Sequence, residues 1–182
     1  MRLPGLRGYV QNFPFNADAA YDAIAESSFD DTAAMKALAQ TPAYAEVLAD
    51  EPNFIDGASM GAVITEEQVL RDGPAAGAKA IRLVRRRADM PVEEFFASFL
   101  AHGQAAARAP GVLRYAQCHT RRSAYGSGRV PAYDGVEIVW CAKGAAPADL
   151  PRCADPERSS SVAVIERIVT LRGADRLPDL GT

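Results

Sequence analysis

Across residues 91–108 the apolar side chains Val92, Phe95, Phe96, Phe99, Leu100, Ala106 and Ala107 recur mainly at steps of three and four. That period predicts an amphipathic helix. Pro91 suits its first turn, Glu93 and Glu94 lie near the positive end of its dipole, and Pro110-Gly111 closes it. Residues 79–87, 113–120, 133–142 and 162–171 are instead rich in β-branched and aromatic residues bounded by Gly and Pro, which predicts strands. With a short helix before the last strand, the order is β-α-β-β-α-β, the split βαβ or ferredoxin-like unit of an α+β fold.

The first part of the chain repeats this pattern. Pro4-Gly5-Leu6-Arg7-Gly8-Tyr9-Val10-Gln11 aligns with Pro110-Gly111-Val112-Leu113-Arg114-Tyr115-Ala116-Gln117 at an offset of 106. Ala20-Tyr21-Asp22-Ala23-Ile24 faces Ala132-Tyr133-Asp134-Gly135-Val136 at 112, and Ala62-Val63-Ile64 with Leu70-Arg71 faces Ala163-Val164-Ile165 with Leu171-Arg172 at 101. The drift places a six-residue insertion in the loop 121–131 and an eleven-residue deletion after Cys141. Both fall where loops tolerate them. Three collinear matches imply a duplication: a first repeat over 1–73, a second over 79–173, and a tail over 174–182.

Within the first repeat the expected elements are strands at 6–13, 21–29 and 61–70 and a helical stretch at 31–50 interrupted at Pro42. Its opening strand and helix are absent. That strand normally lies inside the sheet, so its loss leaves unpaired backbone groups beside a gap. Either the natural start lies upstream, or the sheet is rearranged, or a partner chain supplies the strand.

Composition narrows the class. A net charge of −3 and a pI near 5.4 argue against a nucleic-acid surface. The run Arg85-Arg86-Arg87 reads as a solvated turn. Apolar runs are too short for a bilayer, so no membrane partner is expected. Cys118, Cys141 and Cys153 form no CxxC pair, which argues against a disulfide framework and a zinc knuckle and fits a reducing, cytoplasmic setting. Residues 1–5 lack the apolar segment of a secretory signal.

Ile81-Arg82-Leu83-Val84-Arg85-Arg86, Met90-Pro91-Val92-Glu93-Glu94-Phe95, His102, Pro110-Gly111, Tyr115 and Tyr133-Asp134-Gly135 together resemble the EthD family. The first repeat resembles the later half of that pattern through Pro4-Gly5, Tyr9, Tyr21-Asp22, Glu26, Phe29-Asp30, Pro42, Tyr44, Asp50-Glu51, Phe54 and Asp56. The resemblance implies a dimeric α+β barrel, in which two ferredoxin-like antiparallel sheets close around a ligand cavity; a tandem copy allows that barrel within one chain and leaves assembly of several copies open. It also implies cofactor-free chemistry on a small apolar or aromatic organic molecule, of the dehydratase, isomerase or monooxygenase type. The alternative is a barrel that binds such a molecule, or oligomerises, without catalysis. Fold alone does not decide between them.

With two histidines in the chain, acid–base candidates are few. His102, three residues after Phe99, sits at the border of the apolar stripe and matches the family's helix-borne His; it serves as acid or base, or as a structural His at the helix edge. His119 shares a strand face with Leu113, Tyr115 and Gln117 and either lines a cavity or caps an exposed strand end. Tyr9, Tyr115, Tyr21 and Tyr133 are repeated tyrosines that either donate hydrogen bonds to a ligand or pack in the core. By resemblance Glu26 is the family's strand acid, and its counterpart in the second repeat is Ile138. One composite site, with His102 from the second repeat and Glu26 from the first, is the expected arrangement. Asp22 and Asp134 suit turns, and Trp140 is expected to pack under the helix with Val136 and Ile138. No metal ligand set appears. Tyr125-Gly126-Ser127-Gly128 reads as a loop rather than a phosphate cradle.

Overall fold

The strand and helix periods are realised in two compact units of an α+β fold. The computed structural model describes residues 3–16, 18–126 and 130–171. The smaller unit contains residues 3–13, 21–60 and 166–171. In it β1 (Leu6–Pro14) pairs antiparallel with β2 (Ile24–Phe29). Helix α1 (Thr32–Ala39) starts at Asp31, whose carboxylate accepts from the Ala34 N–H. Helix α2 (Pro42–Asp50) starts at Thr41, whose hydroxyl accepts from the Tyr44 N–H. Pro42 occupies the first turn of α2, the break expected in the helical stretch.

The larger unit, from residues 14–20 and 61–165, holds β3 (Thr65–Arg71), β4 (Ala78–Val84), α3 (Val92–Ala106), β5 (Val112–Thr120), β6 (Gly135–Cys141) and most of β7 (Ser160–Leu171). The order is β7-β4-β6-β5-β3, antiparallel throughout, with β4 in the interior as a ferredoxin-like opening strand requires. These units cut the chain differently from the expected repeats. β3, expected in a first repeat, pairs with β5, expected in a second, and the end of β7 neighbours β1 in the smaller unit.

Helix α3 packs Phe95, Phe96 and Phe99 with Val84, Cys153 and Ala154, and its later turns pack Ala106 and Ala107 with Val112, Tyr115, Val139 and Cys141. Alternation along the strands therefore turns Val84, Tyr115 and Val139 towards the helix. Trp140 has the opposite orientation, a correction to the expected packing under α3. Its ring lies 4.8 Å below the Lys79 ammonium, on the far face of the sheet. The short helix expected before β7 is also absent among the described residues. Residues 142–159 run as turns, interrupted by Pro147, Pro151 and Pro156, which break helical hydrogen bonding.

Under the sequence offsets, the β1–β2 and β5–β6 ladders have one register. Tyr9↔Ser27, Val10↔Glu26 and Gln11↔Ala25 map onto Tyr115↔Val139, Ala116↔Ile138 and Gln117↔Glu137. The irregularity after Leu6 recurs after Val112, and Gly5 and Gly111 both take φ of 80°. A shared left-handed glycine and a shared bulge are backbone features, independent of the side chains that suggested the repeat.

No helix of the described residues is long and apolar enough to cross a membrane, and among those residues no His, Cys, Asp and Glu cluster could hold a metal. The cysteines are free and buried. The 174–182 tail, and Ser127 and Gly128 of the glycine-rich loop, lie outside the described residues.

Candidate functional site

Burying a charge inside a sheet is costly unless a partner is built beside it. Arg82 on β4, Glu137 on β6 and Gln117 on β5 occupy one cross-strand row, paired in register beneath α3. Glu137 is fully buried, and Arg82, 3% exposed, donates to its Oε2 at 2.9 Å. The Tyr115 hydroxyl and the Gln117 amide donate to Oε1, the latter at 3.2 Å. Gln117 also donates to the Phe99 carbonyl and so ties the row to the helix. A Cβ on Gly103 would lie 2.4 Å from the Gln117 amide nitrogen, so glycine there lets α3 settle onto these groups.

His102 completes the cluster. Its Nε2 lies 3.5 Å from Glu137 Oε1, buried and without a hydrogen bond among the described residues, while the side chain keeps 21% exposure. That exposure opens into a cleft of about 400 Å³ between the end of α3 and the loop after β6, lined by His102, Ala105, Ala106, Ala109, Ala148 and Leu150, with Asp149 and Arg152 also on its wall. Four methyl-sized side chains leave the room. Arg82 also donates to the Asp149 carbonyl at 3.2 Å, which anchors the loop wall to the buried ion pair. A mostly apolar recess with an imidazole in its wall suits a small organic molecule.

Burial holds the His102 imidazole below its ordinary range; the Glu137 carboxylate opposes this and Arg82 adds to it. His119 is lowered by burial and by Arg122, against Glu66. The Tyr115 phenol is pushed well up, first by burial, then by the charge of Glu137 and its hydrogen bond. A histidine whose folded-state value lies below its unfolded one binds its proton first in the unfolded chain. The stability it contributes is whole above the unfolded value of 6.5 and is lost as pH falls through the folded value. Urea midpoints measured from about pH 7 to about pH 5.5 are expected to fall, and His102→Gln to flatten that slope.

The other sequence candidates separate. The carboxylate beside His102 is Glu137, one position from Ile138, the counterpart of Glu26. Adjacent strand positions face opposite sides, so the acid under the helix occupies the 137 position rather than the 138 one. Glu26, in the smaller unit, accepts from the Asn12 amide at 2.8 Å. Tyr115 is a buried donor to Glu137, and Tyr9 is reached by the Gln11 amide at 3.5 Å. Tyr133 lies under the Arg85 guanidinium at 6.0 Å, and Tyr21 is half-buried in the loop before β2. His119 is buried, with ring centroids 5.5 Å from Phe96 and 5.1 Å from Phe99, and its Nε2 lies 3.2 Å from Gln117 Oε1; this removes the exposed strand-end alternative. Asp134 clamps the base of the sheet by accepting from the Arg86 N–H and the Tyr125 hydroxyl.

The family model of the EthD domain matches residues 4–58. Residues 4–58 are thus similar to an EthD domain. The matched EthD segment comprises β1, β2, α1 and α2, and His102 and Glu137 lie outside it. No curated protein and no solved structure matches the chain.

Proposed function

We propose that the chain is a tandem EthD-type protein whose second repeat carries a cofactor-independent acid–base site for a small apolar or aromatic organic molecule. The observation that carries this reading is His102, held in the wall of an apolar cleft against a fully buried carboxylate. The shared ladder register supports the tandem part, because it makes residues 112–141 the counterpart of the matched EthD strands. A neutral imidazole in such a cleft takes a proton from an acidified C–H or O–H of the ligand. Glu137 stabilises the imidazolium that forms, and the same ring returns the proton to the product. Tyr115 and Gln117 hold Glu137 and do not touch the ligand themselves. In the first repeat Tyr9 and Gln11 persist, but Ala25 stands opposite Gln11 where Glu137 stands opposite Gln117, so only the second repeat retains the carboxylate of this row.

The test uses α-proton exchange of acetophenone in ²H₂O, followed by ¹H NMR. The wild-type chain is expected to accelerate exchange, and His102→Gln to lower the rate by roughly 10²–10⁴-fold, the range of general acid–base catalysis, while acetophenone still shifts the cleft resonances. Binding without acceleration in the wild type favours a non-catalytic binder.

A further inference from the structure

Gln117 is fully buried, and both polar atoms of its side chain have partners. Its amide nitrogen carries two hydrogens and donates to the Phe99 carbonyl at 2.7 Å and to Glu137 Oε1 at 3.2 Å. A carbonyl and an ionised carboxylate only accept. Turned over, the amide would set its oxygen against both of them, so the network admits one orientation. In that orientation the amide oxygen faces His119 Nε2 at 3.2 Å and requires a donor there. A neutral imidazole carries one ring proton, which this contact places on Nε2. Burial and Arg122 favour the neutral ring, against Glu66, which stands opposite His119 on β3.

The first part of the chain offers a comparison. Under the proposed duplication Gln117 is kept as Gln11, whereas His119 falls on Phe13 and Glu137 on Ala25. There the Gln11 amide is turned to the Tyr9 hydroxyl at 3.5 Å. The imidazole and the carboxylate are thus present together in one half and absent together in the other.

We infer that His119 is a positioning residue: as its Nε2–H tautomer it fixes the Gln117 amide, and through that amide the Glu137 carboxylate that faces His102. Its ring, packed against Phe96 and Phe99 of α3, is held in place for that contact. Without His119 the Gln117 oxygen becomes a buried acceptor with no donor, a costly state that the side chain relieves by turning away. Glu137 then loses the Gln117 hydrogen bond, keeps those from Arg82 and Tyr115, and acts more strongly on His102. The inference rests on the His102–Glu137 site proposed above, but it is read from a tautomer and a titration rather than from turnover.

The chain has two histidines, so long-range ¹H–¹⁵N spectra of the ¹⁵N-labelled full chain resolve both rings. At about pH 8, above the ordinary imidazole range, His119 is expected to show the Nε2–H pattern. His119→Phe is expected to shift the His102 titration upward, towards the ordinary 6.5, while Glu137 and Arg82, the charged groups that face His102, stay in place. His119→Gln, whose side-chain nitrogen reaches the region of Nε2, is expected to restore the wild-type titration. An Nδ1–H tautomer, an unmoved His102 in His119→Phe, or equal shifts in His119→Phe and His119→Gln overturns the inference. The tautomer is read on the wild type and decides the matter even where His119→Phe does not fold. A chain that shows the tautomer and the shifts but no acetophenone exchange upholds the positioning role and removes the catalytic reading.

Discussion

Glu137→Ala is expected to destabilise the chain by about 3–5 kcal/mol, the cost of leaving one partner of a buried ion pair alone. For a chain of this size that corresponds to a melting temperature lower by roughly 6–20 °C, read by calorimetry. Arg82, 3% exposed, would keep its charge with no counterion, and the Tyr115 hydroxyl and Gln117 amide would lose an acceptor. The double substitution Arg82→Met with Glu137→Leu removes both charges and is expected to recover most of the loss, since apolar replacements of similar volume avoid the desolvation of the pair. If the single and double variants melt together, the carboxylate is not holding the arginine.

The second large effect belongs to Phe99. Its ring is fully buried, stacked on Phe95 at 5.2 Å, and Phe99→Ala is expected to cost about 3–5 kcal/mol through the cavity it leaves. A Cβ on Gly135 would lie 2.5 Å from Phe99 Cε1. Gly135→Ala therefore is expected to overpack the site by about 1–3 kcal/mol in the wild type and to cost much less once Phe99 is alanine. Urea denaturation of the four members of that cycle gives the coupling; additive costs would mean that the ring and the strand do not press on each other.

The sheet and helices were largely legible in the sequence because their periods are strong: the phenylalanines of α3 announce its buried face, and the motifs that β1 and β2 share with β5 and β6 mark those strands. The side each strand face takes was less legible. Polar-out alternation fails where both faces of a sheet are buried, and here Trp140 and Ile138 are as covered on one side as Glu137 and Gln117 are on the other. The more apolar set looked like the helix-facing one. A usable signal was present: Arg82 within Ala80-Ile81-Arg82-Leu83-Val84 and Glu137 within Val136-Glu137-Ile138-Val139 are opposite charges each inside an apolar strand, and buried charges occur in pairs. His102 was legible from its place at the edge of the α3 stripe. Its neighbour Glu137 depended on the β4–β6 register, and the Ala148–Arg152 side of the cleft on a loop with no periodic pattern.

NMR titration of the His102 ring, in the wild type and in Glu137→Gln, tests most directly whether a buried carboxylate governs this imidazole. A wild-type value below the ordinary 6.5 is expected, falling further in Glu137→Gln because the group that opposes desolvation is gone. A wild-type ring that titrates as a solvent-exposed imidazole, or one that ignores the loss of the Glu137 charge, would contradict it.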